Sequence, residues 1–121
     1  MQPDDRDAAY LWDMRDAAQA LVRIQQRVTY EAFMAERSLE RMAIERSIEV
    51  IGEAARRVSE AFKAAHLEVP WSSIIAQRNA IAHEYDKIDY DEIWRSVTES
   101  LPELIEKLDA LIPTPPQDTS E

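Results

Sequence analysis

Apolar residues recur along this chain at steps of three and four, the period of one helix face. Leu11, Met14, Ala18, Leu21 and Val28 follow it and predict a first helix from about Asp4 to Val28. Tyr30 to Met34 reads as a short extra turn. Ile44, Ile48, Ile51, Ala55, Val58, Phe62 and Ala65 then step 4, 3, 4, 3, 4, 3. This heptad-like seam predicts a second helix from about Glu36 to Ala65, on the order of 45 Å long if unbroken. Gly52, beside Ala54 and Ala55, would let a neighbouring backbone come close. The stretch 66–69 closes that segment, and Pro70 suits the first turn of a third helix, Trp71 to about Ala82. Tyr90, Trp94, Val97, Leu101, Leu104, Leu108 and Leu111 repeat the same stepping and predict a last helix from about Asp89 to Ile112. Pro102 interrupts that pattern and predicts a kink or short break there.

Four principal helices with short connections imply an all-α, antiparallel helical bundle of four to five helices over residues 1–112. The polar, proline-rich stretch 113–121 cannot build a core and is expected to be a loose tail. A single glycine in 121 residues fits long helices better than a turn-rich sheet. The second and fourth seams are long enough to serve a dimer as well as a single bundle.

With no cysteine, disulfides and thiolate chemistry are excluded. The N-terminus is acidic where a secretory signal would be basic, and no apolar run approaches a membrane span. A soluble cytoplasmic protein is the expectation. The net charge of −10 disfavours nucleic acid at first sight. Its distribution softens that reading: residues 1–35 carry −2, 36–65 are neutral, 66–85 carry −1, and 86–121 carry −7. Most of the acidity therefore lies in the last third, as a solvated face or as a docking face for a basic partner.

The stretch RNAIAHEY, Arg78 to Tyr85, holds one of only two histidines. Arginine and histidine together suggest a phosphate site with a proton-transfer group. Five residues apart on a helix, however, the two side chains stand about 140° apart. Either the helix stops between them, or they act with copies of themselves from a second chain. The ordinary reading makes Arg78 and Glu84 surface residues, His83 a helix-ending cap and Tyr85 a core residue with a wet hydroxyl. The functional reading is RNA cleavage, because RNA supplies its own 2′-hydroxyl nucleophile. That reaction needs a group able to move protons near neutrality, as histidine does, and a cation for the phosphate, as arginine is. Asn79, about 40° from His83 on the helix, could orient the imidazole or bind a phosphate oxygen. No glycine-rich phosphate loop or HExxH pair is present, and two distant histidines make a poor zinc site. No cofactor or metal is expected.

Arg-x4-His-x-Tyr, with a polar residue after the arginine, resembles the signature of the HEPN superfamily of helical-bundle ribonucleases. YEAF at 30–33, ERSIEVIGEAARRVSEAF at 45–62, PWSSIIAQRNAIAHEY at 70–85 and DYDEIW at 89–94 resemble its HepT branch. HepT proteins are the toxin half of bacterial and archaeal toxin–antitoxin pairs. The resemblance implies a homodimer whose RNA-cleaving site forms where two motifs meet. It assigns Arg78 and His83 as the catalytic pair and Asn79 as the supporting polar residue. It also implies a minimal nucleotidyltransferase antitoxin that transfers AMP to the motif tyrosine, Tyr85. In so acidic a chain the basic contacts to RNA would be local: Arg78 with Arg56, Arg57 or Lys63. The alternative is a non-catalytic helical partner for the nucleotidyltransferase.

Overall fold

A computed structural model describes residues 1–36 and 38–113 of the chain. The expected loose tail lies, beyond Pro113, outside the described residues. Helix α1 spans Asp5–Gln25, and Asp4 caps it by accepting the Asp7 N–H at 2.7 Å. Leu11, Met14, Ala18 and Leu21 are fully buried, so the expected stripe is the core face. Thr29 caps the one-turn helix α2, Tyr30–Met34. Its Phe33 is buried beneath Tyr90 and Trp94. Ser38 caps α3, Leu39–Arg57, through the Arg41 N–H. Among the described residues there is no strand, and the all-α bundle stands.

The long second helix expected from Glu36 to Ala65 is interrupted. Val58 adopts an extended backbone (ψ 141°), and a separate helix α4, Glu60–Ala65, begins after Ser59. The break is held by a buried carboxylate from near the start of the chain. Asp7 on α1 accepts the Ser59 N–H at 2.8 Å and its hydroxyl at 2.6 Å. Ser59 in turn caps α4 at the Phe62 N–H. Lys63 reaches back to the carbonyls of Ala55 and Arg56 at the end of α3, both at 3.4 Å, the first of which also accepts the Val58 N–H. Val58 and Phe62 stay in the core, but Ala65, expected on the same seam, is exposed. The unbroken helix is therefore α3 alone, about 28 Å long.

Helix α3 lies between α1 and α5 (Trp71–His83). It runs antiparallel to both: the start of α1 meets the end of α3 at Asp7–Ser59, and Glu45 near the start of α3 meets Tyr85 beyond the end of α5. A 3-10 turn, Tyr85–Lys87, leads to α6, Tyr90–Arg95, capped by Asp89. A π-helical turn, Ser96–Ser100, then joins α6 to α7, Leu101–Leu111. There the Leu101 N–H bonds the Ser96 carbonyl, five residues back. The break expected at Pro102 thus sits one turn earlier, and the proline occupies the first turn of α7. Helix α6 packs on α2, and α7 packs on α1.

Candidate active site

Helix α5 carries the Arg–His motif, and its own packing fixes where the motif points. Trp71 is buried and donates its indole N–H to the His66 carbonyl at 2.8 Å. Ile81 is buried on the face toward the core. The helix continues without a break through His83 and ends at Glu84 (φ −130°, ψ 51°). It therefore does not stop between Arg78 and His83, the first of the two resolutions open from sequence. Within one chain the two side chains leave α5 about 140° apart.

Arg78 is placed by the one glycine of the chain. A Cβ built on Gly52 would lie 2.2 Å from the Arg78 Cβ and 2.6 Å from its Cγ. Only a bare Cα lets α5 come this close to α3, as Gly52 led one to expect. The Arg78 Nη1 donates to Asn79 Oδ1 at 2.9 Å, and its Nε is buried without a partner. Asn79 thus holds the guanidinium, a contact its spacing to His83 did not suggest.

Arg78 opens into a groove of about 390 Å³ between α1 and α3. Asp13 and Asp16 line its α1 side, and Arg46, Glu49, Glu53 and Arg57 its α3 side. The Glu53 carboxyl is held below the usual carboxylate range, first by the two hydrogen bonds from Arg56 and further by the charges of Arg56, Arg78 and Arg57. Of the cations considered for RNA from the sequence, Arg57 lines the groove beside Arg78, while Arg56 is committed to Glu53. Lys63 is only 8% exposed and is spent on the carbonyls of α3, so it offers no surface contact. A larger, mostly apolar groove of about 590 Å³ between α5 and the α6–α7 helix holds none of Arg78, Asn79, His83 and Tyr85.

His83 is exposed at the end of α5. Tyr85 is 62% exposed, so it is not the core residue of the ordinary reading. Its hydroxyl donates to Glu45 Oε1 at 3.4 Å. The neighbouring Glu45 charge, with desolvation and Glu49, pushes the Tyr85 hydroxyl above the ordinary phenol range. Glu45 itself is only 4% exposed, and its Oε2 is buried with no partner. Burial pushes the Glu45 carboxyl upward, against the pull of Arg41 and of the Tyr85 and Tyr90 hydroxyls. Arg41 stacks over the Tyr90 ring at 4.1 Å.

Glu45 was missed by sequence reasoning. The signal was an acid placed where Ile48, Gly52 and Ala55 continue a stripe at steps of 3, 4 and 3. Among the described residues no three His, Asp or Glu side chains group as metal ligands would. No described helix is long and apolar enough to cross a membrane.

The chain matches the model of a family described as ribonuclease HepT-like over residues 14–111. It is similar to a provisionally named RNase of Methanocaldococcus jannaschii, 31% identical over 79% of this chain and 87% of that protein. It is also similar to a protein of Thermococcus cleftensis named as a probable ribonuclease HepT, 29% identical over 84% of this chain and 92% of the relative. A provisionally named RNase of Caldanaerobacter subterraneus is 33% identical over 78% and 84% of the two chains. No solved structure matches. A family model covering most of the chain, agreeing with the all-helical bundle and the Arg-x4-His stretch on α5, places this protein in the HepT-like ribonuclease family.

Proposed function

We propose that this chain is the toxin of a toxin–antitoxin pair, a metal-independent RNA endonuclease that works as a two-fold homodimer. Membership of the family makes it a ribonuclease of the HEPN type. The finer reading is carried by one observation: α5 is unbroken through Arg78 and His83. One chain alone aims these groups about 140° apart, whereas two copies of α5 across an axis bring one chain's arginine toward the other's histidine.

In that shared cleft the RNA 2′-hydroxyl attacks the adjacent phosphorus. His83 takes or returns the proton, and the 5′-oxygen leaves, giving a 2′,3′-cyclic phosphate. Arg78, with its guanidinium preset by Asn79 and Gly52, neutralises the charge growing on the phosphate oxygens. A nucleotidyltransferase antitoxin switches the toxin off by transferring AMP from ATP to Tyr85. The exposed ring is accessible to such a partner. An added phosphodiester and adenosine two residues from His83 would repel and obstruct RNA.

The test is complementation between variants. Arg78→Ala and His83→Ala homodimers should each cut RNA about 100-fold more slowly, the scale of losing an acid/base or an anion-stabilising donor. Mixed and allowed to exchange subunits, they should regain activity, because a heterodimer supplies one arginine and one histidine from different chains. Wild type should keep cutting in EDTA and spare DNA. A strict monomer by light scattering that still cleaves would refute the shared cleft. Wild-type protein that binds the nucleotidyltransferase but cuts no RNA would make it the non-catalytic partner instead.

A further inference from the structure

We infer that Glu45 is the proton acceptor for Tyr85 when the tyrosine hydroxyl is adenylylated. The inference rests on the proposed modification of Tyr85 and adds to it a residue 40 positions away in sequence. Three observations meet at this carboxylate. It lies almost wholly out of solvent while the tyrosine it touches is mostly in it. One oxygen receives the Tyr85 hydroxyl at 3.4 Å. The other is buried and unpartnered, which is costly for a carboxylate with only a structural role.

The surrounding charges decide which group holds the proton. Arg41 and Glu49 flank Glu45 on α3, the Tyr90 hydroxyl faces it from α6, and Tyr85 faces it from the turn after α5. A tyrosine beside an ionised glutamate resists ionising into water, because the product would be two adjacent anions. Passing the proton directly to Glu45 avoids that state, since phenolate and neutral carboxylic acid then stand side by side. Burial favours the same transfer, because it favours the neutral acid.

In the reaction, Tyr85 Oη forms a bond to the α-phosphorus of ATP. The bond from that phosphorus to the bridging oxygen of the leaving group breaks, and pyrophosphate departs with its electron pair. The phenolic proton ends on Glu45 Oε1. The neutral acid then lies beside the new phosphodiester anion, to which it can donate a hydrogen bond.

Two measurements test this on the full-length protein and Glu45→Gln, which keeps the volume of the side chain but cannot take up a proton. The first is AMP uptake by intact mass, with nucleotidyltransferase and ATP, across a pH series. Wild type should lose rate as pH falls through the raised titration of Glu45. Glu45→Gln should be at least tenfold slower and lack that dependence, and Glu45→Asp should recover part of the rate. The second needs no partner: acetylation of Tyr85 by N-acetylimidazole, read by peptide mapping. Proton transfer to Glu45 makes wild type the faster protein. If Glu45 only repels charge from the phenol, Glu45→Gln ionises more readily and reacts faster, and the inference is overturned. Equal AMP uptake by wild type and Glu45→Gln overturns it alone, with the modification of Tyr85 left standing. No AMP on Tyr85 of wild type removes both. A circular dichroism spectrum and melting curve for each variant separate lost chemistry from lost fold.

Discussion

Gly52→Ala is the sharpest perturbation of the contact that sets Arg78. Helix propensity alone says the change should help, because alanine in a helix interior is worth about 1 kcal/mol more than glycine. The structure says otherwise. The new methyl would meet the Arg78 Cβ at 2.2 Å and its Cγ at 2.6 Å, where carbon atoms ordinarily sit about 3.5–4.0 Å apart. The Arg78 Cβ is rigidly attached to α5, so a rotamer change cannot relieve the first clash. The helices must part by about 1 Å or more, and overpacking of this kind costs about 1–3 kcal/mol. The two effects nearly offset in stability, leaving a net loss of about 1 kcal/mol and a melting temperature lower by about 4 °C. Activity should suffer far more. A guanidinium displaced by about 1 Å from its working position costs on the order of 100-fold in rate. Urea denaturation and single-turnover RNA cleavage on the same preparation measure both quantities. A Gly52→Ala protein as stable as wild type that cuts RNA at full rate would show that the close approach does not position Arg78.

Asp7→Ala should cost about 2–3 kcal/mol in urea unfolding, since a buried carboxylate then no longer receives the N–H and hydroxyl of Ser59. An unchanged midpoint would mean the α3–α4 break is held by something else. For Glu45 the sign follows from its raised carboxyl. A carboxyl whose folded pKa lies above its unfolded value contributes stability below the unfolded pKa and loses it as pH rises through the folded one. Glu45→Gln should therefore be at least as stable as wild type near neutral pH, with the advantage shrinking toward about pH 4. A wild type that gains on Glu45→Gln as pH rises would contradict the burial argument.

The bundle was legible because its seams are simple. Leu11 to Leu21 and Leu101 to Leu108 repeat at helical steps, and the structure buries them. The break at Val58 was not legible, because Val58 and Phe62 keep the seam's phase while the backbone turns between them. The carboxylate that holds it, Asp7, lies 52 residues away, beyond any local pattern. Lys63 failed as a surface cation for the same reason, since it folds back onto the carbonyls at the end of α3, an end the seam does not announce. Arg78, Asn79, His83 and Tyr85 were all readable as a motif. Their supports were not: Gly52 was read as a close approach, but its partner, the stem of Arg78, became visible only with α3 and α5 in place. Glu45 looked like one more acid on an acidic chain.

The π-helical turn at Ser96–Ser100 divides one rod between two neighbours. Before it, Tyr90 and Trp94 rest on Phe33 of the short α2; after it, α7 lies along α1. Such a turn interrupts the i→i−4 ladder of the α-helix on either side. The rod is thus jointed, and its two halves can come loose at different free energies. Amide hydrogen exchange is expected to find that boundary, with α6 and the 3-10 turn exchanging well ahead of α7. On that expectation Tyr85 and Tyr90 lie in the looser half, while Glu45 lies on α3 in the firmer one. The Tyr85–Glu45 contact therefore spans the two halves and is made only while the looser one is seated on α3.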